Sequence, residues 1–170
     1  ANLPRQAVDV YEEAAALQSA PPGRLLRALG ALVALRQDAE TTRLRKLLAA
    51  HEGTLSIEQE TALRVLDAEI ALRKGDRETA QKLYGQALAK NPLQPDALMG
   101  LADMLRDDRI YDEALALYER ALSVDSLRIP ALSAQAQIAV AREDYAQGAL
   151  LVRKALKIAP SPELEKYLSG

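Results

Sequence analysis

Ile110-Tyr111-Asp112-Glu113-Ala114-Leu115-Ala116-Leu117-Tyr118-Glu119-Arg120-Ala121-Leu122-Ser123-Val124-Asp125 is the stretch from which the architecture of this chain is read. Its residues Ala114, Leu117, Tyr118, Ala121 and Leu122 recur every three or four positions, which lines one face of an α-helix. A polar turn, Asp107-Asp108-Arg109, precedes it, and a second helical pattern precedes the turn. Equivalent turns, Lys74-Gly75-Asp76 and Arg142-Glu143-Asp144, lie about 34 residues to either side. The same period organises the apolar residues, so internal repetition governs the whole reading.

Set beneath one another, the blocks Thr61–Gln94, Pro95–Arg128 and Ile129–Pro162 align without a gap. Ala68, Ala102 and Ala136 share a column, as do Ala87, Ala121 and Ala155, and beside them Leu88, Leu122 and Leu156. Ala80, Ala114 and Gly148 form a third small column, and Tyr84 and Tyr118 align with Val152. Small side chains let two antiparallel helices approach closely, and the larger Leu or Tyr of a neighbour fills what remains. Pro92 and Pro160 close their blocks, since proline cannot continue a helix; Ser126 stands at that place in the middle block.

On these columns the sequence resembles the tetratricopeptide repeat family. That family's pattern has small residues at repeat positions 8, 20 and 27, an aromatic at 24 and a proline at 32. The middle block meets it with Ala102, Ala114, Ala121 and Tyr118 but has Ser126 in place of the proline. The first block meets it with Ala68, Ala80, Tyr84, Ala87 and Pro92, although Arg64 stands where an apolar residue is usual, and the third is weaker, with Gly148 and Val152. The resemblance implies an all-α, right-handed superhelical α-solenoid of antiparallel helix pairs, about ten helices in all.

The N-terminal part follows the pattern less closely. Ala7, Tyr11 and Ala14 have the spacing of a second-helix half, and Pro21-Pro22-Gly23 breaks the chain after it. Arg24–Arg36 and Ala39–His51 read as a helix pair around Gln37-Asp38, with Arg45 where an aromatic is expected. Ser56 and Gln59 form a capping-box signal for the next helix. The expected organisation is a single domain over 1–170: a half-repeat over 3–20, a degenerate repeat over 22–51, repeats over 57–94, 95–128 and 129–162, and a capping helix over 163–169. Opening on half a repeat, and without an initiator methionine, the chain is expected to follow a further helix upstream.

Composition narrows the chemistry. With 49% hydrophobic and 27% charged residues, the profile is globular, and alanine and leucine dominate while Phe and Trp are absent. The 22 Lys and Arg against 24 Asp and Glu leave no basic excess with which to hold nucleic acid. No apolar run approaches the ~20 residues that span a bilayer. Zero cysteines remove disulfides and thiolate metal sites. His51, beside Glu52-Gly53, reads as a helix C-terminal residue favoured by the helix dipole. No serine sits in a Gly-x-Ser-x-Gly setting and no glycine-rich loop could cradle phosphate, so neither an enzyme nor a cofactor is expected. The cluster Arg43, Arg45, Lys46 lies among leucines and reads as a solvated helix face.

In this family the first helix of each repeat lines a concave wall that holds a segment or helix of another protein. Carried across residue by residue, the groove positions are Val65, Glu69, Leu72 and Arg73; Asp96, Met99, Asp103, Arg106 and Asp107; and Ser133, Gln137 and Val140, with Ala141 beside it. Another reading of the same charges is an ordinary solvated helix face. The subset of the family that grips chaperone C-terminal carboxylates uses Lys and Asn at positions 5 and 9. Here those positions hold Val65 and Glu69, Met99 and Asp103, Ser133 and Gln137, and the two acidic residues would repel such a ligand. The expected role is a scaffold or adaptor holding a protein partner in a larger assembly, with a lean toward a bacterial envelope setting drawn from the family's uses. The alternative is self-assembly through apolar ends, with Val8, Val10 and Tyr11 at one and Leu164, Tyr167 and Leu168 at the other.

Overall fold

A computed structural model describes residues 3–16, 21–162 and 165. Among them the regular structure is entirely helical: α1 Leu3–Ala16, α2 Pro22–Ala34, α3 Asp38–Ala49, α4 Ile57–Arg73, α5 Arg77–Lys90, α6 Pro95–Asp107, α7 Tyr111–Ala121, α8 Arg128–Ala141 and α9 Tyr145–Ile158. The expected capping helix over 163–169 lies outside the described residues apart from Glu165, as do residues 17–20 of the half-repeat and the apolar C-terminal residues Leu164, Tyr167 and Leu168. The described helices therefore number nine rather than about ten. None is long and apolar enough to cross a membrane.

The helices pair through short turns, α2 with α3, α4 with α5, α6 with α7 and α8 with α9, and such short links make neighbours antiparallel. This is the helix-pair fold of α-solenoids. One backbone device ends the first helix of every pair. Arg36, Gly75, Arg109 and Glu143 all take positive φ, at 56°, 79°, 62° and 62°. The next residue's N–H then reaches back five positions: Gln37 to Leu32, Asp76 to Ala71, Ile110 to Leu105 and Asp144 to Ala139. These are Schellman turns, which satisfy carbonyls a helix end would otherwise leave open. Three of the four lie on the 34-residue period, yet only Gly75 announces a left-handed residue in the sequence.

The next helix starts with less uniform chemistry. Asp76 and Asp144 accept the N–H of Thr79 and Gln147, each at 3.0 Å, whereas Ile110 holds the same place before α7 without a side-chain cap. Ser56 and Gln59 make both bonds of the capping box, at 3.2 and 3.1 Å. Where Ser126 replaces the block-ending proline, the chain turns through a short 3₁₀ segment, Asp125–Leu127, directly into α8. His51 lies two residues beyond α3 and its carbonyl accepts from the N–H and hydroxyl of Thr54.

Two compact units divide the chain, Ala1–Lys90 and Asn91–Gly170. In the first, Leu25, Leu29, Leu44 and Leu48 are fully buried around Val8 and Val33; such a side chain contributes roughly 1.5–3 kcal/mol by burial. Here α1 leans on α3, and α4 packs on α2 as well as on α5. Arginines join these elements. Arg43 reaches from α3 to Glu12 (3.0 and 2.6 Å) and Asp9 (2.7 Å) of α1, and Arg45 reaches to Asp67 (2.6 and 2.9 Å) of α4 and to Glu52 (2.7 Å). The cluster expected to be a solvated face is thus, at two of its three positions, a set of inter-helix clamps, because planar guanidinium groups fit carboxylates of neighbouring helices two bonds at a time. Arg64, at its unusual position, donates to Gln86 at 3.1 Å, and Lys90 pairs with Glu60.

In the second unit α8 packs on both α7 and α6, and α9 on α8. Ala97, Leu98, Ala102, Ala114, Tyr118, Ala121, Ala131 and Ala155 have no exposed surface. A Cβ on Gly148 would come 3.2 Å from Val140 Cγ2, so α8 and α9 meet where the small column requires it.

Candidate functional site

The predicted groove residues divide between the two units, and each group is placed differently. On α4, Val65 is 3% exposed and presents no side chain, which removes it from any accessible surface; α4 is covered by both α2 and α5, and its burial extends around the helix. Glu69 and Leu72 are half-buried. Arg73 is turned back on its own unit, donating to the Val33 carbonyl and to Asp38 at 3.2 Å.

The second unit presents a more open face. Asp96, Met99, Asp103, Arg106 and Asp107 fall within roughly 100° of one another around α6, and Ser133, Gln137 and Val140 within roughly 60° around α8. Arg106 joins the two helices, its Nη1 lying 3.4 Å from Gln137 Oε1 and 2.9 Å from Asp103 Oδ1, while Nη2 reaches Asp107 at 3.1 Å. Tyr118 of α7 completes the arrangement from beneath, donating its hydroxyl to Asp103 Oδ1 at 2.5 Å. Burial first, and the Asp103 carboxylate second, push the Tyr118 phenol well above its ordinary range, so it stays a protonated donor. Asp96, Gln137 and Val140 are exposed, and Met99 and Ser133 are half-buried.

The result is a polar cluster whose charges are mutually satisfied, bordered by Met99 and Val140. It offers hydrogen bonds and adaptable apolar surface. Among the described residues, no group of three or more His, Asp or Glu side chains comes together to hold a metal ion. Tyr118 was legible only as a packing column residue, since nothing in one sequence tells whether an aromatic hydroxyl finds a carboxylate.

A second concavity in this unit has no counterpart among the predicted residues. It lies between α7 and α9 over α8, as two adjoining cavities of about 460 and 640 Å³ that share Glu119, Gln135, Gln147 and Leu151. The family pattern directs attention to first helices, and this cleft is walled by second helices.

Comparison with known proteins agrees with the helix pairs. Residues 66–128 match the tetratricopeptide repeat family. The chain is similar to the crystal structure of YrrB, a TPR protein with an unusual peptide-binding site, with a TM-score of 0.71 at 16% identity, covering 99% of this chain and 84% of that one. At that identity the likeness speaks for the fold. Comparison with curated protein sequences gives no match. The repeat columns, the paired helices with their recurring Schellman turns and the match over 66–128 together support a tetratricopeptide repeat assignment for this chain.

Proposed function

We propose that this chain is a protein-interaction scaffold, not a catalyst, and that it holds a segment or helix of a partner protein against the α6–α8 face of its second unit. The observation that carries the reading is the Asp103–Arg106–Gln137 bridge between first helices of successive pairs, bordered by half-buried Met99 and by Val140 at 38% exposure. Charges already paired at a surface present a fixed hydrogen-bonding pattern, and the apolar border supplies the burial a bound segment needs. That the similar YrrB has a peptide-binding site supports the class of ligand.

The test uses the full chain as bait in extracts of its source cells, beside Met99→Lys and Gln137→Arg. Met99 borders the face and Gln137 belongs to its bridge, and neither is in the buried core, so helicity and melting should stay near wild type. Loss of the same bound protein from both variants supports the reading; undiminished recovery from both would overturn it.

A second reading, self-association, rests on the first unit. A slot of about 310 Å³ is lined by Pro4, Ala7, Val8, Tyr11, Leu32 and Leu35, among other apolar side chains, and Leu35 is 63% exposed. Light scattering over a concentration series, with Leu35→Glu as control, decides it: a mass constant at that of the monomer excludes this reading.

A further inference from the structure

The cleft between α7 and α9 differs from the α6–α8 face in position and in charge. Around α8, the positions lining the cleft (Leu132, Gln135, Ile138 and Ala139) lie roughly opposite Ser133, Gln137 and Val140, so the two surfaces are on opposite sides of one helix. The cleft follows α9 from Gln147 to Ile158, about 16 Å at the helical rise. Toward the helix N-termini of α8's neighbours its lining carries the apolar Leu115, Ala116, Ile138, Ala139 and Leu151, together with Gln147 and with Asp144, whose carboxylate is engaged by the Gln147 N–H at 3.0 Å. Arg142 at that end is already committed, to Asp112 at 2.6 Å and over the Tyr111 ring at 5.3 Å.

The other end is cationic. Arg128, Lys154 and Lys157 line it against the carboxylates of Asp125 and Glu119. Arg128 and Asp125 stand 3.9 Å apart with Asp125 fully exposed, and Glu119 accepts from the Gln135 amide at 3.3 Å. Among the described residues, neither Lys154 nor Lys157 is in a salt bridge. Lys157 lies in the last turn of α9, where the partial negative charge of the helix end favours a cation.

From this gradient we infer that the cleft is a second docking site, for a peptide segment of another protein in which apolar side chains adjoin acidic ones. Apolar side chains enter over Leu115, Ile138 and Leu151, and the carboxylates meet Arg128, Lys154 and Lys157. A cleft of this volume and length accommodates several side chains. The charge at its cationic end selects the acidic partner and makes its capture salt-dependent. The inference does not rest on the α6–α8 reading, and a chain with both sites would hold two segments on opposite faces.

A display library of random twelve-residue peptides, selected on the full chain, tests it, with single selected peptides then measured by fluorescence anisotropy. The expected peptides place Asp or Glu next to apolar residues. Ala116→Arg, which fills the apolar end from an exposed position, weakens them at least tenfold, and Lys154→Glu with Lys157→Glu weakens them about tenfold. Met99→Lys leaves them unchanged. Circular dichroism melts confirm that each variant is folded. The inference is overturned if no peptide is selected, if the selected peptides lack acidic residues, or if Met99→Lys abolishes binding and Ala116→Arg does not. That last outcome would leave the α6–α8 face as the docking surface.

Discussion

Tyr118 reaches from α7 to Asp103 of α6 with a hydroxyl-to-carboxylate hydrogen bond of 2.5 Å, while its own ring is fully buried. A residue whose column has a packing role thereby also holds a surface carboxylate in place, and Arg106 holds the same oxygen from the other side at 2.9 Å. Tyr118→Phe keeps the ring and removes only the bond. We expect a loss of about 1–2 kcal/mol in urea unfolding, since the bond is to a charged group that retains one partner. The pH dependence has a definite sign. The folded protein binds the phenolic proton more tightly than the unfolded chain, so this contribution is complete below the ordinary tyrosine value of 10.0 and falls away as pH rises beyond it. Stability of wild type relative to Tyr118→Phe should therefore be constant to about pH 10 and decline above. A constant difference to pH 11.5 would show that the hydroxyl does not carry it.

The missing cap before α7 is an opportunity for stabilisation. Asp76 and Asp144 cap α5 and α9, and Ile110 occupies the equivalent place with 43% of its surface exposed. Ile110→Asn supplies an oxygen for the Glu113 N–H without adding a carboxylate beside Asp112 and Glu113. Stability should rise by about 1 kcal/mol, the usual difference between a capping and a non-capping residue. Ile110→Ala, which cannot cap, is the control and should not stabilise.

The left-handed turn residues make a matched set. Gly75 at φ 79° has nothing within 4 Å of where a Cβ would stand, so Gly75→Ala acts through the backbone alone and should cost about 1 kcal/mol. Arg109 and Glu143 already bear that cost at φ 62°. Arg109→Gly and Glu143→Gly should each stabilise, by about 0.5–1 kcal/mol, in thermal or urea unfolding. Opposite signs at equivalent positions would be a signature that no contact-based account reproduces.

Ion pairs in this protein should differ in value according to their setting. Arg45 and Asp67, with side chains 28% and 22% exposed, make two parallel bonds between α3 and α4. Arg142 and Asp112 make one bond with side chains 42% and 90% exposed. Double-mutant cycles with Arg45→Met and Asp67→Asn should give a coupling of about 1–2 kcal/mol, against less than about 0.5 kcal/mol for Arg142 and Asp112. Equal couplings would mean that the clamp does not join α3 to α4.

Much of the architecture was legible because helix pairing is a local matter. A 34-residue period, alanine columns at contact positions, polar turns and the Ser56–Gln59 box each act within a few residues of chain, and helical spacing translates them directly into buried and exposed faces. Nothing comparable marks Arg36, Arg109 or Glu143 as left-handed, because arginine and glutamate carry no turn preference and accept the strain only when the next helix pulls the chain round. The face to which a charge points is likewise silent in one sequence. Arg43 and Arg45 looked like solvated cations and became clamps, and Arg73 looked available and is spent on Val33 and Asp38.

The sequence by itself therefore determined that this is a chain of paired helices, where each pair turns, and which small residues lie between them, since all of that follows from the 3.6-residue period and side-chain size. Tertiary structure alone decided which candidate residues remain accessible: it buried Val65, tied Asp103 to Tyr118 and opened a cleft between α7 and α9. The reason is that exposure and charge pairing depend on which helices lie side by side, a distance in space that spacing along the chain does not contain.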